Sequence, residues 1–202
     1  MPSNAPVILA FGDSLVAGYG LPRSEGFAPQ LEAALRARGV EASVINAGVS
    51  GNTAGGGSVR IKWVLDRLPA PPDLAVVAFG GNDMLRAIPA SETREDMATI
   101  LRTLKEREIA TVLAGMLAPP FLGERYTREF NALFPELARE YETGFYPFFL
   151  AGVAGNPKLN LPDRVHPNSA GVARMVAGIL PVVLAILPGE AISRRAISRG
   201  RN

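Results

Sequence analysis

The 202-residue sequence predicts an α/β fold built on a parallel sheet, and three observations carry that expectation. Short apolar runs alternate with longer segments of helical period. Most of those runs are apolar at consecutive positions instead of alternating, as strands covered by helices on both faces should be. Unusual glycine-rich and polar segments follow the ends of the runs, at the rim where an open parallel sheet binds ligands.

The first strand is expected at Val7–Phe11 (VILAF), followed by a helix at about Ser24–Arg38. There Phe27, Leu31, Ala34 and Leu35 share one face, and Gln30, Glu32 and Arg36 fall elsewhere. Strand two is expected at Ala42–Ala47, a helix at Thr53–Leu68, and strand three at Leu74–Phe79. The third helix should cover Ser91–Arg107, with Ser91 as its N-cap. Strand four (Ala110–Gly115) leads into a helix at Glu124–Tyr141. Strand five (Phe145–Leu150) contains Pro147, which suits a sheet edge. A last helix is expected at Ser169–Leu187; its most apolar part, Val176–Pro188, contains Pro181, is too short to span a bilayer and reads as buried.

Bulk properties narrow the function. Length suits one domain, expected over residues 1–190, with a basic tail over 191–202. The formal charge is +2, but Arg194, Arg195, Arg199 and Arg201 supply four positive charges, so residues 1–193 carry −2. The tail reads as a solvated terminus, with contact to anionic lipid or substrate as the alternative. No phosphate-tracking face is evident, so nucleic acid is not an expected partner. Cysteine is absent and histidine occurs once, which excludes a disulfide framework, a thiol nucleophile and a His/Cys zinc site. No cofactor is expected. The N-terminus opens into a strand without a basic region and long apolar stretch, as in a cytoplasmic protein or one whose signal peptide has been removed.

Four segments fall at the expected rim: Gly12–Gly20 (GDSLVAGYG), Gly48–Gly57 (GVSGNTAGGG), Gly80–Met84 (GGNDM) and Asp163–Asn168 (DRVHPN). A serine hydroxyl needs a base within hydrogen-bond reach and a group that orients the base. Ser14 follows a strand end, His166 is the only imidazole, and Asp163 is near enough in sequence to hold the ring's other nitrogen. Attack on an ester also develops an oxyanion, for which the Ser14 and Gly51 N–H groups and the Asn82 amide could be donors.

Other readings of the same residues stay open. Ser14 could cap a helix, and Asn82 could bond a turn. Asp13 and Asp83 read as turn ligands, and Trp63, Met84, Met116 and Phe121 as core or pocket lining. The glycine-rich loop could cradle phosphate, but it lacks both G-x-G-x-x-G and G-x-x-x-x-G-K-[ST] spacing.

In order and content the four segments resemble the blocks of the SGNH, or GDSL, hydrolase family, most closely its branch of bacterial thioesterase I, lysophospholipase L1 and arylesterase proteins. That resemblance implies a flavodoxin-like three-layer α/β/α sandwich with a five-stranded parallel sheet of order 2-1-3-4-5. It implies a Ser14–His166–Asp163 triad and an oxyanion hole from Ser14, Gly51 and Asn82. The expected activity is hydrolysis of acyl esters through an acyl-serine: aryl esters, with thioesters or lysophospholipids, as small-molecule substrates. A non-catalytic nucleotide- or phosphate-binding module and a carbohydrate O-acetylesterase are the rival readings. The loops Met84–Ser91 and Met116–Tyr126 are the expected pocket walls, and oligomeric state is left open.

Overall fold

A computed structural model describes residues 5–187; the basic tail lies outside the described residues. Five parallel strands, β1 (Val7–Gly12), β2 (Ser43–Gly48), β3 (Leu74–Ala78), β4 (Ala110–Ala114) and β5 (Gly144–Tyr146), pair in the order β2-β1-β3-β4-β5. This is the expected order. Chain reversal between β1 and β3 opens a crevice beyond their carboxyl ends, the usual ligand position in such sheets.

Seven helices surround the sheet among the described residues: α1 (Ser14–Ala17), α2 (Phe27–Ala37), α3 (Ala54–Asp66), α4 (Gly81–Leu85), α5 (Ala90–Glu106), α6 (Glu124–Glu140) and α7 (Ser169–Ile186). The central strands behave as their sequences demand: β3 is buried along its whole length, β1 from Ile8 onward and β4 from Thr111 onward. Facing them are the buried stripes of the long helices, such as Phe27, Leu31 and Leu35 of α2 and Met97, Ile100, Leu101 and Leu104 of α5. Val172, Met175, Val176, Ile179 and Val183 of α7 join the same core. Thus α7, although long and apolar enough to cross a membrane by length and composition, has a face packed within the protein.

Local chemistry moves several boundaries. The first long helix begins at Phe27, not Ser24, because residues Arg23–Glu25 form a separate 3₁₀ turn that ends at the extended Gly26. Pro89, not Ser91, occupies the N-cap of α5; its fixed φ leads directly into the helix, and Ser91 falls in the first turn. Strand β5 stops at Tyr146, short of the expected Leu150, because Pro147 has no N–H to continue the ladder. The following residues turn away, tied back by a Phe149 N–H bond to the Gly115 carbonyl at 2.9 Å.

The outer edge of β2 is blunted by side chains. Ser43 and Val49 donate inward to Pro6 and Gly12, so the intervening Val44 and Gly48 N–H groups point outward. The Glu32 carboxylate takes the first at 3.0 Å and the Asn46 side chain takes the second at 2.9 Å. Occupied donors cannot template another strand.

Candidate active site

Strand β1 delivers Ser14 to the rim. Asp13 caps α1 by accepting the Leu15 N–H at 3.0 Å, and Gly18 closes that short helix in a left-handed conformation. Both Ser14 and Asp13 are buried. Close approach at this corner requires glycine: a Cβ on Gly48, at the end of β2, would collide with the Ala17 backbone.

The loop before α7 brings the other partners. His166 Nε2 lies 2.9 Å from Ser14 Oγ, and Nδ1 lies 2.7 Å from Asp163 Oδ2. The other Asp163 oxygen accepts the Val165 and His166 N–H groups at 2.9 and 3.0 Å. One carboxylate therefore fixes the loop with one oxygen and the imidazole with the other. These hydrogen bonds, led by the His166 backbone N–H, lower its pKa to about 2. An ionised Asp163 favours the tautomer with a proton on Nδ1, leaving the Nε2 lone pair facing the serine hydroxyl. Asn168 then caps α7, accepting the Gly171 N–H at 3.0 Å.

Asn82 enters from the third strand end. Gly80 bends the chain with φ of 109°, and Asn82 sits in the first turn of α4. Its amide donates to the Asn52 carbonyl at 2.8 Å and reaches Asp13 Oδ2 only at 3.5 Å, so its second N–H is loosely held. Gly51 occupies the neighbouring turn with φ of 80°, outside the residues lining the cavity around Ser14; Arg86 donates to its carbonyl at 2.8 Å.

Ser14, Asn82 and His166 line a cavity of about 260 Å³ whose remaining wall is mainly apolar, including Leu15, Met84, Leu85, Met116, Leu150 and Val165. Of the two expected wall loops, each contributes its first residues; the segment after β5, with Leu150, Ala154 and Gly155, was not anticipated. Trp63 and Phe121 are 58% and 85% exposed, so neither is core, and neither lines this cavity. Trp63 instead lies under the Arg67 guanidinium, 4.4 Å from its ring centre. A larger groove of about 520 Å³ beside β2 contains none of the three residues.

The two buried aspartates hold backbone. Asp83 accepts the Ala54 N–H at 3.0 Å and the Thr93 hydroxyl at 3.3 Å, and burial raises its pKa. Burial also raises Asp13 to about 6, opposed by the Leu15 N–H. Sequence reasoning missed Arg60, which sits on α3 with no motif around it. Its guanidinium lies 4.1 Å over the Phe11 ring, donates to the Gly12 carbonyl at 2.8 Å behind the serine, and also bonds Asn52. Desolvation lowers its pKa to about 10. No group of three or more His, Asp or Glu suited to a metal ion occurs among the described residues.

Residues 10–174 match the model of the GDSL-like lipase/acylhydrolase family. The chain belongs to that family. The chain is similar to the esterase TesA of Pseudomonas aeruginosa, 31% identical over 183 residues, which span 91% of this chain and 90% of that protein. An arylesterase of Vibrio mimicus is 33% identical over 80% of each chain. The crystal structure of AlinE4, an SGNH-hydrolase family esterase, superposes with a TM-score of 0.77 at 48% identity, covering 91% of this chain and 97% of its own. The family's chemistry is carboxylic-ester hydrolysis, and the protein is an ester hydrolase of this type.

Proposed function

We propose that Ser14 is the nucleophile, His166 the general base and acid, and Asp163 the orienting carboxylate of this esterase. The observation that carries the reading is the pair of contacts at the imidazole, 2.9 Å to Ser14 Oγ and 2.7 Å to Asp163. Nε2 takes the hydroxyl proton as Oγ bonds to the acyl carbon, and the carbonyl π electrons move to oxygen. Collapse of the tetrahedral adduct breaks the bond to the leaving group, which receives the proton from Nε2. Water then attacks the acyl-serine by the same steps in reverse.

Oxyanion donors are the Ser14 N–H, the Gly51 N–H and the loosely held Asn82 amide hydrogen, drawn from three strand ends. The acyl chain occupies the apolar wall formed by Met84, Leu85, Met116 and Leu150. Relatives named as an arylesterase and as a thioesterase 1/protease 1/lysophospholipase L1 support aryl esters, thioesters and lysophospholipids as the compounds to test.

Release of 4-nitrophenol from its short-chain esters tests the assignment. Ser14→Ala and His166→Ala should each reduce kcat by several orders of magnitude with the fold intact. Wild-type turnover in both folded variants would overturn it.

A further inference from the structure

We propose that Arg164 and the side pocket it borders form a binding site for an anionic group on the leaving portion of the substrate. The proposal rests on the ester-hydrolase reading of Ser14 and His166 and deepens it by naming the residue that recognises a phosphate or carboxylate on the leaving group.

Four non-glycine residues among those described have φ in the left-handed region: Ala87, Glu108, Glu142 and Arg164. The first three directly follow the C-caps of α4, α5 and α6, where chains commonly reverse in this conformation. Arg164 ends no helix. It stands at φ of 60° inside the loop that carries Asp163 and His166, its N–H bonded to the Leu161 carbonyl at 2.9 Å. Glycine would adopt this backbone without penalty, whereas arginine there is strained.

Arg164 borders two cavities. One is the site around Ser14; the other, of about 280 Å³, is lined by Gly155, Asn156, Pro157, Asn160 and Arg164. Gly155, Asn160 and Arg164 belong to both, so the two cavities share a border. The guanidinium has no ion-pair partner among the described residues. Its sequence neighbour Asp163 is committed to two backbone N–H groups and the imidazole. Asn160 is likewise occupied, donating to the Val153 and Asn156 carbonyls at 2.8 Å each.

Arg164 is the one charged residue among those lining the side pocket, and the surrounding stretch of chain is mainly basic. Between residues 143 and 187 the sole acid is Asp163, against Lys158, Arg164 and Arg174. The cavity's apolar wall suits the acyl chain, while a leaving group must depart beside His166 Nε2, which protonates it. Arg164 is two residues before that imidazole on the same loop and lines the same cavity. A guanidinium there meets phosphate or carboxylate through paired N–H donors.

The test compares 4-acetoxybenzoate with its neutral methyl ester as substrates for wild type, Arg164→Gly and Arg164→Lys. Arg164→Gly fits the left-handed backbone, so it should fold at least as well as wild type. Its kcat/KM for the anionic ester should fall about tenfold further at low salt than its kcat/KM for the neutral ester. Arg164→Lys should recover part of the difference. Equal effects on both esters, or none on either, would overturn the proposal.

Two product-like inhibitors separate the sources of phosphate: glycerol 3-phosphate for a lipid headgroup and adenosine 3′,5′-bisphosphate for a nucleotide-bearing thiol. Competitive inhibition weakened by Arg164→Gly identifies the source, and inhibition by neither rejects phosphate as the group. Ser14→Ala tests the underlying reading separately, because it should silence both aryl esters alike.

Discussion

The Tyr19 ring lies 4.3 Å from the His166 imidazole, centre to centre, with the planes inclined by 34°. It covers one face of the imidazole while the ring edge meets Ser14 and Asp163. An aromatic face attracts the imidazolium formed during attack more than the neutral ring, by about 0.5–1 kcal/mol at an exposed position. Tyr19→Ala should therefore lower kcat about two- to fivefold, and Tyr19→Phe should keep it near wild type. Equal losses in both variants would show that the hydroxyl, not the face, matters.

Asp163→Asn should be severe although nearly isosteric. The amide can still accept the loop N–H groups, but its NH₂ would face Nδ1 and favour the wrong tautomer. Turnover should fall about 10²-fold or more with little change in KM. Stopped assays on folded protein check this; a variant within fivefold of wild type would remove Asp163 from the mechanism.

Asp13 predicts a pH-dependent stability. Its folded pKa of about 6 exceeds the ordinary 3.8, so its contribution is complete below about pH 4 and is lost as pH rises through 6. Asp13→Asn removes that loss. Relative to wild type, the variant should gain stability between pH 4 and pH 8 by up to ~3 kcal/mol, read from urea unfolding. A constant difference across this range would contradict the raised value. The same variant tests whether Asp13 shapes the acid limb of kcat/KM: a limb that moves with the substitution belongs to that carboxyl.

Asn82→Ala separates an oxyanion donor from a turn ligand. Loss of its bond to the Asn52 carbonyl should cost about 1 kcal/mol of stability. Loss of an oxyanion donor should cost about 10²–10³ in kcat. Full turnover per folded molecule would leave only the structural function.

Chain-length preference should respond to Ala154, which lines the cavity after β5. Ala154→Phe fills part of the roughly 260 Å³ and should depress octanoyl ester hydrolysis about tenfold relative to acetyl. An unchanged ratio would mean that the acyl chain runs elsewhere.

Much of this architecture was legible because one physical rule governed each part. β1, β3 and β4 begin at their expected residues, since strands buried on both faces must be apolar throughout. Ser14 and His166 could be brought to one rim because parallel strands share a carboxyl end. Where several forces compete, the sequence was less readable. Ser91 has the chemistry of a cap, but the preceding proline set the helix start. Trp63 and Phe121 are large and apolar, yet each faces outward from its element. Leu150 and Ala154 reach the cavity only because the chain turns at Pro147, and Arg60 reaches Gly12 only through the packing of α3 on the sheet.

The hydroxyl and imidazole that meet in the site are 152 positions apart, and the residues after His166 form the helix that docks against β4 and β5. A nascent chain emerging from the ribosome thus exposes its serine long before any base can reach it. If the proposed nucleophile and base act together, such a polypeptide is inert towards esters until α7 is made and packs, bringing residues 14 and 166 into contact.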